Sequence, residues 1–171
     1  MNRNYKIFLI LAVILVGVVG YFAYTQYNIS KTQEYLSSSQ EIKNNATNYF
    51  NQASNYEKSG DYSNAILNYQ KCSDEINQAL YTDKQALNYA NGVYREYLDI
   101  DIQLLEKTAN LLDYKIYQNQ YYNNSLNPGQ EKANPALMTP YIANLTSEVA
   151  SLKDKEAQTK NTHPEAFRFL G

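Results

Sequence analysis

Residues 7–24 read IFLILAVILVGVVGYFAY, about eighteen positions without a charge, close to the shortest length that crosses a hydrocarbon core about 30 Å thick. About a dozen Ile, Leu, Val and Phe side chains, at about -0.3 to -0.6 kcal/mol each, favour insertion by roughly 4 to 7 kcal/mol. No charged side chain in the run opposes that transfer. Arg3 and Lys6 precede it, whereas the stretch beyond offers Lys31, soon balanced by Glu34. Basic residues stay on the cytoplasmic side, which predicts residues 1–6 in the cytoplasm, residues 7–24 as a transmembrane signal anchor, and residues 25–171 outside the cytoplasm. Tyr5 and Phe8 at one end, and Tyr21, Phe22, Tyr24 and Tyr27 at the other, stand where aromatic rings anchor at membrane interfaces. A cleaved signal peptide shares the charged start and apolar core. Here Val18-Val19-Gly20 is the one small-residue site, and it lies inside the apolar run. The expectation is a retained helix, with a secreted helical protein as the alternative.

The exported part is expected to be all-α, a bundle of three to four helices at about 30–58, 62–80, 84–122 and 140–160. In the first, Tyr35, Ser39, Ile42, Ala46, Tyr49, Ala53 and Tyr56 alternate spacings of three and four, a heptad seam. Ser39 is its weak point, and the helix can continue the membrane segment outward as a stalk. Ser59-Gly60-Asp61 then stops one helix and starts another. Gly60 can turn left-handed past the end, and Asp61 can accept from the next helix's free amides. So short a link makes the pair antiparallel. Tyr62, Ala65, Tyr69, Cys72, Ile76 and Ala79 continue the spacing on the facing side.

The segment YEKSGDYSNAILNYQKC, with Ala53, Tyr56, Gly60, Tyr62, Ala65, Tyr69 and Cys72 at the key positions, resembles the turn of a tetratricopeptide repeat, covering about residues 46–77. The resemblance implies that small residues let two helices approach while aromatic rings fill the gap, and that arrays of such hairpins bind peptides in a concave groove. A shift of one repeat length brings Leu87, Ala90, Asp99 and Gln103 to the key positions, and Asp99 and Gln103 do not suit close packing. Arrays need about three units, so one hairpin inside a bundle is expected.

Polar Thr82 and Asp83 interrupt the stripe, and Thr82 with Gln85 has capping-box spacing, which predicts a helix break there, with one long helix over 62–122 as the alternative. The third helix then carries Ala86, Ala90, Val93, Tyr97, Ile100, Leu104 and Leu111 on one seam. Leu87, Tyr94, Leu98, Leu105 and Leu112 form an adjoining one, wide enough to touch two neighbours. Asp99 and Asp101 are read as a solvated face. Residues 123–139, with Pro128-Gly129, form a long loop, the first place to look for a binding epitope. Thr139-Pro140 opens the last main helix, Thr139 capping and Pro140 occupying a position whose amide lacks a partner. Ile142, Leu145, Val149 and Leu152 supply its apolar face. Thr162 to Glu165 can cap a final turn bearing Phe167, Phe169 and Leu170.

The formal net charge of -2 and the lack of any basic cluster give nucleic acid no electrostatic footing. Cys72 is the single cysteine and His163 the single histidine. They lie far apart in sequence, and Cys72 on an apolar stripe is expected to be a buried small hydrophobe. Glu-x-x-His pairs, phosphate loops and nucleophile elbows do not occur in the sequence. The reading is therefore a non-catalytic chain with no catalytic, metal or cofactor residues, bound to membrane lipid through residues 7–24. Its function is expected to be that of a membrane-anchored helical protein-interaction module. A homo-oligomeric coiled-coil stalk is the alternative.

Overall fold

The computed structural model describes residues 3–126 and 135–170, and among these the chain is helical with no strand. Helix α1 runs unbroken through Arg3–Ser59, α2 through Tyr62–Ala86, α3 through Gly92–Tyr122, α4 through Thr139–Thr162 and the short α5 through Pro164–Phe167. Single 3-10 turns follow at Pro135–Leu137 and Arg168–Leu170. The apolar segment and the first bundle helix are thus one element. Its first half is long and apolar enough to cross a membrane. Val13, Val16, Val19, Phe22 and Tyr24 there are exposed, and from Ala12 onward Asn28 is the first buried residue.

From that entry end α1 climbs to Ser59 and α2 returns. The turn between them is a Schellman end: the Gly60 amide donates to the Glu57 carbonyl at 3.1 Å and the Asp61 amide to the Tyr56 carbonyl at 3.0 Å. Gly60 adopts φ +78°, and the Asp61 carboxylate accepts from the Asn64 amide at 3.2 Å. Both devices match their sequence signals. Small residues then let α1 and α2 approach, with Ala46, Ala53, Ala65 and Ala79 buried along the contact and Phe50 edge-on to Tyr69 at 5.6 Å.

The expected break at Thr82–Asp83 is not where α2 ends. The Thr82 hydroxyl donates back to the Gln78 carbonyl at 2.9 Å instead of capping a new helix. Helix α2 runs on to Ala86, and α3 begins at Gly92 rather than near Lys84. Ala86 therefore closes α2, and Leu87 and Ala90 lie in the turn. Gly92 (φ +50°) supplies the left-handed residue there. Tyr89 fills the turn, stacked on Tyr35 at 5.9 Å and edge-on to Tyr27 at 6.1 Å. Polar residues on a stripe imitate a break when their burial partner lies on another helix.

Helix α3 climbs again to the far end, where Tyr62 meets Tyr122 at 5.3 Å. Of the expected loop at 123–139, residues 127–134 lie outside the described residues and Pro135–Leu137 form a 3-10 turn. Helix α4 descends along α3 with Ile142, Leu145, Val149 and Leu152 half-buried. Its N-cap is Met138. Thr139 does not cap; its hydroxyl lies 3.5 Å from the Pro135 carbonyl. His163 precedes α5 without a side-chain capping bond. Phe167 then tucks between Tyr94 and Tyr97, with ring centroids 5.6 and 4.8 Å away. The Tyr94 hydroxyl ties this tail down, donating to the Ala166 carbonyl at 2.9 Å and accepting from Gln33 at 2.8 Å.

Candidate functional site

The apolar core is split into two clusters. The far cluster holds Ala46, Ala53, Ala65, Tyr69, Cys72, Ile76, Ala79, Leu105 and Leu112. The entry-end cluster holds Leu36, Ala86, Ala90, Tyr94, Tyr97, Leu98 and Phe167. On every helix that contributes to both, polar residues occupy core positions between the clusters: Ser39 and Lys43 on α1, Asp83 on α2, Asp101 on α3. Ser39, Asp83 and Asp101 are fully buried. A charged layer therefore separates two hydrophobic ones.

Lys43 is the hub. Its Nζ donates to Asp101 Oδ2 at 2.5 Å and lies 3.8 Å from Glu156 Oε1 of α4. Glu156 also takes Lys160 at 3.0 Å and the Tyr97 hydroxyl at 2.6 Å. Both ammonium groups lie against the Tyr97 ring, Lys43 at 5.8 Å and Lys160 at 5.6 Å from its centroid. Helices α1, α2, α3 and α4 thus each supply an ionisable group to one layer, which favours a single register among them.

Asp83 has no cationic partner at bonding distance, and both of its carboxyl oxygens are buried without a regular hydrogen bond, as are Ser39 Oγ and Asp101 Oδ1. Ser39 and Asp101 stand close enough to act on its protonation. Burial first, and then the negative charge of Asp101, pushes the Asp83 carboxyl up to about 8, against the pull of Lys43. Burial also raises the Asp101 carboxyl above its ordinary value, against the pull of the Lys43 ammonium. The pair titrates together, and the Lys43 ammonium bonded to Asp101 Oδ2 favours the charge on Asp101 and the proton on Asp83. Burial works against the Lys43 charge, but Asp101, Glu156 and Asp83 outweigh it and its pKa rises. Burial raises Glu156, yet Lys43, Tyr97 and Lys160 bring it below the ordinary value. The carboxyls of Asp83, Asp101 and Glu156 against the ammoniums of Lys43 and Lys160 leave one excess negative charge. One proton on Asp83 neutralises the layer.

Asp101 was expected on a solvated face with Asp99. Asp99 is exposed and Asp101 is buried completely, because residues two apart on a helix face different ways and Asp101 falls on the stripe of Leu98, Leu104 and Leu105. The same signal marks Lys43 between Ser39 and Ala46, Asp83 between Ala79 and Ala86, and Glu156 between Leu152 and Thr159. Each is an ionisable residue at a position its own helix reserves for apolar ones.

Cys72 lies buried in the far cluster, where desolvation pushes its thiol up to about 12. It is a packing residue, with no thiolate at neutral pH. His163 stands at the α4–α5 junction, its Nδ1 4.0 Å from a Glu165 oxygen. Among the described residues no group of three or more His, Cys, Asp or Glu is arranged to hold a metal ion. Comparison with protein-family models, with curated proteins and with solved structures returns no match. What the charged layer can do chemically is hold a proton and lock the helices in register.

Proposed function

We propose that this protein is a membrane-anchored, non-catalytic helical module that carries a rigid bundle at a fixed height above the bilayer, where it engages a protein partner. The observation that supports this most is the continuity of α1. One helix contains the exposed apolar half and the half on which the bundle is built, so no hinge separates anchor from module. The N-terminus belongs in the cytoplasm and the bundle outside it, on the bias of Arg3 and Lys6. From Tyr27 to Ser59 the helix rises about 48 Å at 1.5 Å per residue. The α1–α2 turn and the end of α3 at Tyr122 and Asn123 stand together at that far end, remote from the membrane, and form the presenting surface.

The stalk alternative finds less support, because the α1 seam is occupied within the chain. Ala46 and Ala53 are covered by α2 and are not left for a second copy. Two measurements test the proposal. Protease added to sealed cells stripped of their outer barrier should digest residues 25–171 and spare the apolar segment. Photo-cross-linkers at Ser59 and Asn123 should capture a discrete protein neighbour that cross-linkers at Asp99 do not. Protection of the bundle, or equal capture from all three positions, would remove the topology or the presenting surface respectively.

A further inference from the structure

The entry end of the bundle lies within a few residues of the apolar segment, and its composition differs from that of the far end. Residues 7–24 make about 27 Å of helix, close to the roughly 30 Å of a hydrocarbon core, which puts Tyr24 and Tyr27 in the headgroup layer about 5 to 8 Å deep. Tyr27 is 53% exposed although the bundle begins at the next residue. Tyr89, at the tip of the α2–α3 turn, is in ring contact with it at 6.1 Å. The turn therefore reaches the depth of Tyr27. Exposed Asn88 and Asn91 flank Tyr89, and the arginines beyond the N-terminal segment, Arg95 and Arg168, are both exposed at this same end. Tyrosine and arginine suit an interface that is apolar on one side and wet and phosphate-bearing on the other.

We infer that this end of the bundle is a lipid-binding surface, in which Tyr27 and, from the α2–α3 turn, Tyr89 seat in the headgroup layer with the exposed Arg95 and Arg168 on its wet side. This rests on the membrane-anchor reading of residues 7–24. A single spanning helix leaves a module free to tilt; a second contact beside it fixes tilt and rotation, and so fixes the direction in which the far end points. Acidic Glu34, Glu96 and Glu165 share the entry end, and Glu34 is held by Lys31 at 2.6 Å. The charges nearly cancel, so a zwitterionic bilayer is sufficient and the seat does not depend on anionic lipid.

The chain has no tryptophan, so a single introduced one reports its own surroundings. Full-length Tyr24→Trp, Tyr89→Trp and Tyr122→Trp variants are reconstituted in phosphatidylcholine vesicles, with or without lipids brominated near the headgroup end of their acyl chains. Asn88→Trp, at an exposed site with no packing to disturb, stands in for Tyr89→Trp if that variant does not fold. The expected result is loss of emission from Tyr24→Trp and from the turn variants, none from Tyr122→Trp, and no change when phosphatidylglycerol is added. Quenching of Tyr24→Trp with none at the turn overturns the seat and leaves the anchor standing. No quenching of Tyr24→Trp overturns the anchor, and the seat with it.

Discussion

Asp83 faces Asp101 inside a layer that lacks a cation for each carboxyl, so its proton is part of the folded structure. Its pKa stands near 8 in the fold and near 3.9 when unfolded. The native state therefore holds more protons than the unfolded one between those values, and stability falls as pH rises across that window. At about 1.4 kcal/mol per unit the whole excursion is of order a few kcal/mol. Glu156 acts in the opposite sense: its depressed pKa contributes stability above its unfolded value that is lost as the pH drops through its folded one. Denaturation of the detergent-solubilised chain, followed by circular dichroism, should accordingly show greater stability near pH 5 than near pH 8. Asp83→Asn keeps the shape of the neutral acid and should flatten the fall on the alkaline side; parallel profiles for the two proteins would sink the assignment. Lys43→Met leaves Asp101 and Glu156 without their shared cation and should cost about 3 to 5 kcal/mol, the usual penalty for orphaning a buried charge. Adding Asp101→Asn to that variant should return a good part of the loss, measured as a double-mutant cycle.

Helix ends are set by local chemistry where the turn is short. The Schellman bonds at Gly60 and the Asp61 cap account for the antiparallel α1–α2 hairpin without tertiary help. Gly60→Ala meets no neighbouring atom, so its cost comes only from forcing a side chain into positive φ and should be about 1 kcal/mol, read from the denaturation midpoint. A loss several times larger would mean that the turn packs against something else. The α2–α3 turn behaves differently. Thr82 and Gln85 carry a capping signature, yet the helix continues through them, because Asp83 is buried on the stripe of Ala79 and Ala86, facing the Lys43 layer, and Tyr89 closes the turn against Tyr27 and Tyr35. Local propensity was outweighed there by contacts with residues about forty to sixty positions away in sequence.

At the scale of the molecule, α1 holds both the segment apolar enough to cross a membrane and the foundation of the bundle. Its seam is covered by α2 and not by another copy, so the full chain in detergent should sediment as a monomer and its bundle should melt at a temperature independent of concentration. A midpoint that rises with concentration would restore the coiled-coil stalk. The split of the core into two apolar clusters joined by one ionic layer also gives the bundle a single register. Sliding α1 by one helical turn would bring Lys43 against apolar side chains and strand Asp101.

The all-helical class, the apolar segment, the first hairpin and the burial of Cys72 were legible in the sequence, because each follows from periodicity or from contacts within a few residues. The charged layer was legible only in part. That Lys43, Asp83, Asp101 and Glu156 each occupy an apolar stripe can be read from spacing, but a stripe does not say what lies opposite it. Which carboxyl meets the lysine, and which one keeps a proton, was decided by the height at which four separate helices pass one another. That height depends on the sum of all packing contacts between them, and no single stretch of chain encodes it.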